Sequence, residues 1–212
     1  MLDIANITIG RLLRSSTTGY VFGCSVPEPD VPRFGDFVKA PAQRGRTNVI
    51  GLIYDIIIED DPFVRQMVAA RDLDEAYILD QRENRQVPIE VVVLSIAYYL
   101  GGERDSGPGA SKGGITCGLP PQPPVTLDSI RPCTDGEMLD CTSSFDFLRL
   151  VINAPHVPSD ELIVMSLRNA ANARPPQDRA AFLRLAGREL ARLLSRDLPR
   201  LSDILRRIQP IQ

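Results

Sequence analysis

The stretch IGRLLRSSTTGYVFGC, residues 9–24, decides the fold of the first half of the chain. Two runs of β-branched, aromatic and hydroxyl-bearing residues flank four consecutive hydroxyl side chains, Ser15–Thr18, which are followed by Gly19. Such hydroxyls bond their own neighbouring backbone in a tight turn, and a glycine there can supply a positive φ. A phosphate cradle would instead need glycine-rich backbone that leads into a helix. The pattern therefore predicts that Ser15–Thr18 form the turn of a first β-hairpin.

Three further segments of the first half also have strand-like sequences. FGDFVKA (34–40) predicts a short strand, NVIGLIYDIIIE (48–59) a long one, and PIEVVVLSIAYYL (88–100) the strongest, because β-branched residues cluster there without helix caps. Glycines lie within or beside the strand-like runs, at positions 10, 23, 35 and 51. Glycine in a strand often marks a bulge or a sharp bend, so short curved strands of this kind favour a small closed barrel.

The remainder of the chain predicts helices around a linker. Asp61-Pro62 is a typical helix start, and we expect an insertion of two short helices at about 62–85, over Phe63–Ala70 and Leu73–Asn84. Residues 101–124 are rich in glycine and proline and are interpreted as a linker. Helices are then predicted over Asp135–Cys141, Phe145–Asn153, Ser159–Ala173 and Gln177–Arg196, with a last one containing Leu201, Ile204, Leu205 and Ile208.

These segments predict an α+β protein in two parts. Residues 1–100 form a small closed β-barrel with a helical insertion, and residues 125–212 form an α-helical C-terminal domain. In the long helix 177–196, one apolar face follows the helical repeat and consists of Phe182, Leu185, Ala186, Leu190, Leu193 and Leu194.

Composition narrows the function classes. The chain has 212 residues, a formal net charge of −3 and a pI near 5.3, which argues against a generally basic nucleic-acid binder. The longest apolar run, Val91–Leu100, is far shorter than the roughly 20 residues that cross a bilayer. The N-terminus has no basic region before an apolar core, so we expect no signal peptide, no membrane partner and a cytoplasmic location.

The cysteines and the single histidine do not suggest a metal site. Cys24, Cys117, Cys133 and Cys141 are widely scattered, and no C-x-x-C pair is present. Zinc ligands usually occur as close pairs, so we interpret the four as unpaired cysteines and expect no metal and no cofactor. Lys39 and Lys112 are the only lysines, which we interpret as a bias of composition.

Three short motifs are similar in sequence to known functional sites. GPGASKGG (107–114) is similar to a phosphate-binding loop, but Ser111 precedes Lys112 and no helix can follow, so a flexible loop is favoured. His156, Ser159 and Asp160 spell a hydrolase triad, but no G-x-S-x-G is present and Ser159 is better explained as a helix N-cap. The acidic residues 59–61 suit a divalent cation, but negative charge at a helix start explains them more simply.

The most notable charged feature lies on the long C-terminal helix. Arg184, Arg188, Arg192 and Arg196 recur every four residues and form a ridge, and Pro158 to Gln212 contains ten arginines and six acidic residues. Such a ridge can bind nucleic-acid phosphates or an acidic partner, although a solvated helix face is the more common explanation. Glu189 and Asp197 reduce its charge, and no aromatic residues alternate with the arginines as single-strand binders require.

The N-terminal motifs resemble the HAS-barrel family, the small β-barrel of HerA-type DNA-translocating ATPases and ATP synthase catalytic subunits. The matching positions are Ile9-Gly10, the Ser15–Thr18 turn, Tyr20–Phe22, Phe34–Val38 and Gly51–Ile56. The second half is similar to the helical extension of short, stand-alone members of the family. The chain has neither the Walker motifs nor the length of an ATPase core, so the resemblance implies a docking role and transfers no catalytic residue.

The expected function is therefore a non-enzymatic adaptor or assembly module. The resemblance implies a protein partner, such as a HerA-like ATPase or a nuclease in DNA repair or processing, and self-association into a homo-oligomer. The alternative is a nucleic-acid-binding protein that uses the arginine ridge of the C-terminal helix, namely Arg184, Arg188, Arg192 and Arg196. A third hypothesis, an enzyme of another type, predicts a deep pocket with converging polar groups.

Overall fold

The computed structural model describes residues 7–25, 32–58, 89–100 and 114–209, together with Ala76. Its strands are β1 (Gly10–Ser15), β2 (Gly19–Cys24), β3 (Phe37–Ala42), β4 (Thr47–Ile58), β5 (Ile89–Leu100), β6 (Ile115–Cys117) and β7 (Ser129–Pro132). The five strands predicted before residue 101 are thus confirmed. The insertion predicted at 62–85 lies outside the described residues, except for Ala76, which is helical.

The strands form a closed antiparallel barrel. The sheet order is β2-β1-β7-β3-β4-β5-β6, and a further pairing between β2 and β5 closes six of the strands into a ring. Strand β5 is long enough to pair on one edge with β2 through residues 90–94 and then with β6 through residues 97–99. A closed ring leaves few exposed strand edges, which is how small all-antiparallel sheets avoid edge-to-edge aggregation.

The hairpin predicted from residues 9–24 is confirmed, but the role given to Gly19 is wrong. The amide of Ser16 donates to the carbonyl of Gly19 at 2.7 Å, and the Ser16 and Thr18 hydroxyls lie 2.9 Å apart in the turn. Gly19 does not have a positive φ. It is needed for a close approach, because a Cβ at this position would lie 2.4 Å from the carbonyl oxygen of Val93 on β5.

The glycine in the middle of β4 marks a bulge, as the sequence predicted. The register between β4 and β5 shifts between Ile50 and Gly51, which bends the strand where the barrel curves. A Cβ on Gly51 would lie 2.3 Å from Cγ1 of Val93 and 2.8 Å from the carbonyl oxygen of Leu94. Only glycine therefore fits at this bend.

Five helices follow in the C-terminal range: α1 (Asp135–Cys141), α2 (Phe147–Ile152), α3 (Ser159–Asn172), α4 (Pro176–Leu193) and α5 (Leu198–Ile208). They confirm the predicted order of a barrel followed by helices. A capping box starts α1: the Glu137 amide donates to Oγ1 of Thr134 at 3.1 Å, and the Thr134 amide donates to Oε2 of Glu137 at 2.8 Å. Among the helices in the described ranges, none is long and apolar enough to cross a membrane.

Two strands were not predicted from the sequence. Strand β6 lies in the range interpreted as a linker, and β7 lies in the range interpreted as wholly helical. Strand β7 pairs with β1 on one side and β3 on the other, so the barrel cannot close without it. Both strands have only three or four residues, too few to show an alternating apolar pattern in the sequence.

The alternation along the strands divides the buried side chains into two clusters. Val49 and Ile53 of β4 lie in the barrel interior with Leu12, Tyr20 and Phe22. Ile50 and Leu52, on the other face of β4, pack in a second cluster with the apolar faces of the helices. The helices therefore cover one outer wall of the barrel, since successive strand residues point to opposite faces.

A buried helix face and a polar contact join the two parts. On α4, Phe182, Ala186 and Leu190 are buried as predicted, whereas Leu185 is 51% exposed and does not belong to the buried face. Nδ2 of Asn169 on α3 donates to the carbonyl oxygen of Gly35 at 3.0 Å and to Oδ1 of Asp36 at 3.1 Å, just before β3.

Candidate functional site

A cleft of about 260 Å³ lies on the outer face of the barrel, where β3, the turn to β4, and β7 meet. Its lining residues come from two stretches of the chain, 39–48 and 128–131: Lys39, Pro41, Arg44, Gly45, Asn48, Asp128, Ser129 and Arg131. Three of them are basic and one is acidic. We refer to it below as the basic cleft.

The strand register places two of the cations side by side. Lys39 of β3 lies directly opposite Arg131 of β7. The neighbouring residues Val38, Ala40 and Ile130 are buried in the barrel interior, so Lys39 and Arg131 lie on its outer face. Like charges directly opposite each other in a sheet are destabilising unless a counter-charge is near.

Glu137 of α1 supplies that counter-charge for Lys39. Its Oε1 accepts hydrogen bonds from Nζ of Lys39 at 2.7 Å and from the hydroxyl of Tyr99 at 2.9 Å. Burial by itself would raise the pKa of Glu137, but the hydrogen bonds from Lys39, Thr134 and Tyr99 outweigh it and lower the pKa below its usual value. Glu137 therefore stays ionised and fixes Lys39 at the edge of the cleft.

The turn before β4 projects a second cation. Gln43, Arg44 and Gly45 form a 3-10 turn, and their φ angles of 51°, 59° and 81° are all in the left-handed region. For a non-glycine residue this conformation costs on the order of 1 kcal/mol. Oγ1 of Thr47 donates to Oε1 of Gln43 at 3.0 Å, which fixes the turn from inside. Arg44 itself is exposed and lines the cleft.

Asn48 lies at the base of this turn and is only 8% exposed. Within the part of the chain that the structure describes, its side-chain amide makes no hydrogen bond, although its backbone pairs with Pro41 and Tyr99. The Asn48 amide is thus available to a molecule in the cleft.

The arginine ridge predicted from the sequence is only partly formed. Arg184, Arg188 and Arg192 are exposed on α4, while Arg196 is exposed beyond its end. Arg192 is engaged by Glu189 at 2.5 Å. Among the described residues, Arg184, Arg188 and Arg196 have no ion pair. The structure therefore brings three of the four onto one helix, where Arg184 and Arg188 are exposed and Arg192 is paired with Glu189.

The triad-like residues have structural roles. Ser159 is the first residue of α3 rather than its N-cap, which is Pro158 and makes no side-chain cap. One guanidinium, that of Arg200, donates to Oγ of Ser159 at 3.1 Å and to Oδ1 of Asp160 at 2.6 Å. His156 adopts a φ of 63° in the preceding turn.

Cys117, Cys133 and Cys141 are free thiols. The described residues contain no group of three or more metal-ligating side chains. Hydrogen bonding with Cys141 lowers the pKa of Cys117 to about 7, with a smaller contribution from Ser144. The same interaction, together with burial, raises the pKa of Cys141, and burial raises that of Cys133. Cys117 is thus the most acidic of these three thiols.

Two of the short motifs fall outside the described residues. These are the acidic residues 59–61 and, apart from Gly114, the glycine-rich loop 107–114, for which the preferred interpretations remain predictions. The basic cleft, in turn, was not predicted from the sequence. The scarcity of lysine suggested only a bias of composition, although one of the two lysines lines the cleft.

Comparison with known proteins leaves the family of the chain open. The chain matches no protein-family model, and no curated protein is significantly similar to it. The resemblance to HAS-barrels therefore depends on the quoted motifs and on the closed barrel itself.

Proposed function

We propose that the chain is a non-enzymatic adaptor or assembly module that docks on a partner protein through the outer face of its barrel. The observation that carries the proposal is a group of exposed apolar side chains around β1. Leu13, Val125 and Leu127 are 44%, 56% and 73% exposed. Exposed apolar side chains that lie together are typical of protein interaction surfaces.

Hydrogen bonds hold these residues on adjacent segments. The Leu127 amide donates to the carbonyl of Leu12 at 2.9 Å, and Oγ of Ser15 donates to the carbonyl of Pro124 at 2.6 Å, so residues 124–128 run alongside β1. Leu13 lies where the register of β1 and β2 shifts. Leu127 has a φ of 70°, an unfavourable conformation for a leucine. We refer to Leu13, Val125 and Leu127 as the β1 patch.

The resemblance to HAS-barrels supports a particular class of partner. Its motif positions coincide with structural features of the barrel: Ile9-Gly10 starts β1, Tyr20–Phe22 is buried in β2, and Gly51 forms the bulge of β4. The partner proposed on this basis is a HerA-like DNA-translocating ATPase or an associated nuclease in DNA repair or processing. Self-association into a homo-oligomer is part of the same proposal.

The test is a native pull-down of a HerA-like ATPase or nuclease encoded in the same genome. We expect the double variant Leu13→Asp, Leu127→Asp to lower recovery at least about tenfold, since burying a charge in an apolar contact is costly. The matched control is Leu185→Asp, Leu198→Asp, which changes two leucines on the helices that are 51% and 66% exposed. Recovery of nothing but further copies of the chain would contradict the motor partner. Light scattering after size exclusion measures self-association.

A second candidate function is nucleic-acid binding by α4. It is favoured by the exposure of Arg184 and Arg188 without acidic partners among the described residues. Arg188→Glu should weaken binding to a DNA duplex. It should also reduce, by about one, the slope of the logarithm of the binding constant against the logarithm of the salt concentration. The control is Arg33→Glu, which makes the same charge change at a side chain that is 87% exposed near the barrel. Equal effects of the two variants, or no binding at low salt, would exclude α4 as the contact.

A further inference from the structure

The basic cleft concentrates positive charge in a protein whose formal net charge is −3. Lys39, Arg44 and Arg131 line it, and Asp128 is the one acidic side chain in the lining. Lys39 and Arg44 lie on β3 and the turn that follows it, and the fold brings Arg131 of β7, which is distant in sequence, next to them. Repulsion between them is relieved when an anion occupies the space that they share.

Glu137 neutralises only part of this charge. Among the described residues it contacts Lys39 through one oxygen, and an ammonium group carries three donors. Nζ of Lys39 therefore retains donors for a second acceptor. Glu137 itself does not line the cleft, so it fixes the position of Lys39 without occupying the space where a ligand would bind.

The second observation is the side chain of Asn48. It is more than nine-tenths buried, it lines the cleft, and its amide makes no hydrogen bond within the described ranges. An amide nitrogen supplies two donors with no charge, which suits one oxygen of an anion that the cations hold. Because Asn48 follows the strained turn at Arg44, both groups are held by the same short segment.

The volume of the cleft favours a small ligand. Sites for drug-sized ligands commonly have volumes of about 300–1,000 Å³, and this cleft has about 260 Å³. It suits a compact anion better than a large cofactor. Arginine is the side chain that best matches phosphate oxygens, since its planar fork donates two parallel hydrogen bonds.

We infer that the basic cleft binds the phosphate or diphosphate group of a small molecule, through Lys39, Arg44, Arg131 and the Asn48 amide. The lining of the cleft shares no residue with the β1 patch, and the inference does not depend on the proposed adaptor role. Asp128 lies in the same lining and disfavours a long polyanion that would run past it.

The experiment is calorimetric titration of the full chain with sodium pyrophosphate, inorganic phosphate and ADP. We expect pyrophosphate to bind, and Arg44→Gln to weaken it at least about tenfold, since hydrogen bonds to charged groups are among the strongest. The matched control is Arg46→Gln, an exposed arginine two positions away that does not line the cleft. Asn48→Ala tests the amide separately, and circular dichroism confirms that each variant is folded.

Two results would overturn the inference. One is the absence of a heat signal from all three phosphates at ligand concentrations up to about 10 mM. A dissociation constant above that concentration would be too weak for a specific site. The other is an equal loss in Arg44→Gln and Arg46→Gln, which would indicate diffuse surface charge rather than a site. The same titration is also carried out with a DNA duplex. If DNA binds and pyrophosphate does not, the positive charge of the cleft serves a nucleic acid and the inference is likewise overturned.

Discussion

Nζ of Lys39 lies 2.7 Å from Oε1 of Glu137, and this contact connects strand β3 of the barrel to helix α1. Both side chains are largely buried, with exposures of 13% and 18%. The Tyr99 hydroxyl of β5 donates to the same oxygen, so one carboxylate joins two strands to a helix. Partly buried pairs with several hydrogen bonds contribute more than exposed ones, which makes Glu137 the first residue to test.

Glu137→Gln should lower the free energy of unfolding by about 1–3 kcal/mol, because Lys39 loses its counter-charge and the capping box at Thr134 loses its carboxylate. Urea unfolding measures the loss. The control is Glu189→Gln, which breaks a more exposed ion pair with Arg192 and should cost less than about 1 kcal/mol. Equal losses of unfolding free energy in the two variants would indicate that burial of the Lys39–Glu137 pair adds nothing to its contribution to stability.

The same residue predicts a dependence of stability on pH. The folded state lowers the pKa of Glu137 below its ordinary value of 4.5. The stability that it contributes is fully present above the ordinary value and is lost as the pH falls through the lower, folded value. The difference between the wild type and Glu137→Gln should therefore narrow in acid. Urea titrations at several pH values below neutrality measure it, and a constant difference would contradict the prediction.

Gly51→Ala should destabilise the barrel by about 1–3 kcal/mol, since overpacking a core forces backbone or side chains to move. The new Cβ would lie 2.3 Å from Cγ1 of Val93 in the barrel core. Gly118→Ala is the control, because nothing lies within 4 Å of its Cβ position, and its effect should stay within about 0.5 kcal/mol. Thermal unfolding followed by circular dichroism separates the two. A tolerated Gly51→Ala would show that the bulge can relax.

Two leucines on α4 test which face is buried. Leu190 is fully buried, whereas Leu185 is 51% exposed. Leu190→Ala should lower the free energy of unfolding by about 2–5 kcal/mol, and Leu185→Ala by less than about 0.5 kcal/mol. Similar losses in chemical denaturation would mean that Leu185 is buried in solution, as the sequence pattern alone predicted.

Cys117 should be alkylated faster than the other cysteines around it. Its pKa is lowered to about 7, and it is half-buried, whereas Cys133 and Cys141 are buried. Since the thiolate is the reactive form, its rate with iodoacetamide should rise with pH and reach half of its maximum near pH 7. Mass spectrometry of the alkylated peptides measures the rates, with Cys117→Ser as the control. Faster alkylation of Cys133 or Cys141 would contradict the burial of these two thiols.

The strands and helices were predicted well where turn residues, alternation or helix caps mark them locally. The hairpin over residues 9–24 and the helix Asp135–Cys141 were placed correctly, because turn chemistry, alternation and caps act over a few residues. Strands β6 and β7 were missed because they are short and are stabilised by pairing with distant strands. Leu185 was wrongly assigned to the buried face of α4. The helical repeat shows which residues lie on one face of a helix, but it does not show how much of that face the neighbouring helices cover.

The sequence by itself determined the local elements and their order: a first hairpin, further barrel strands and then helices. Only the tertiary structure decided how the barrel closes, since β7 enters between β1 and β3. The same closure placed Arg131 opposite Lys39 and created the basic cleft. The physical reason is that backbone hydrogen bonds and side-chain periodicity act along the chain, whereas strand register across the sheet is set by burial of one face against partners far away in sequence.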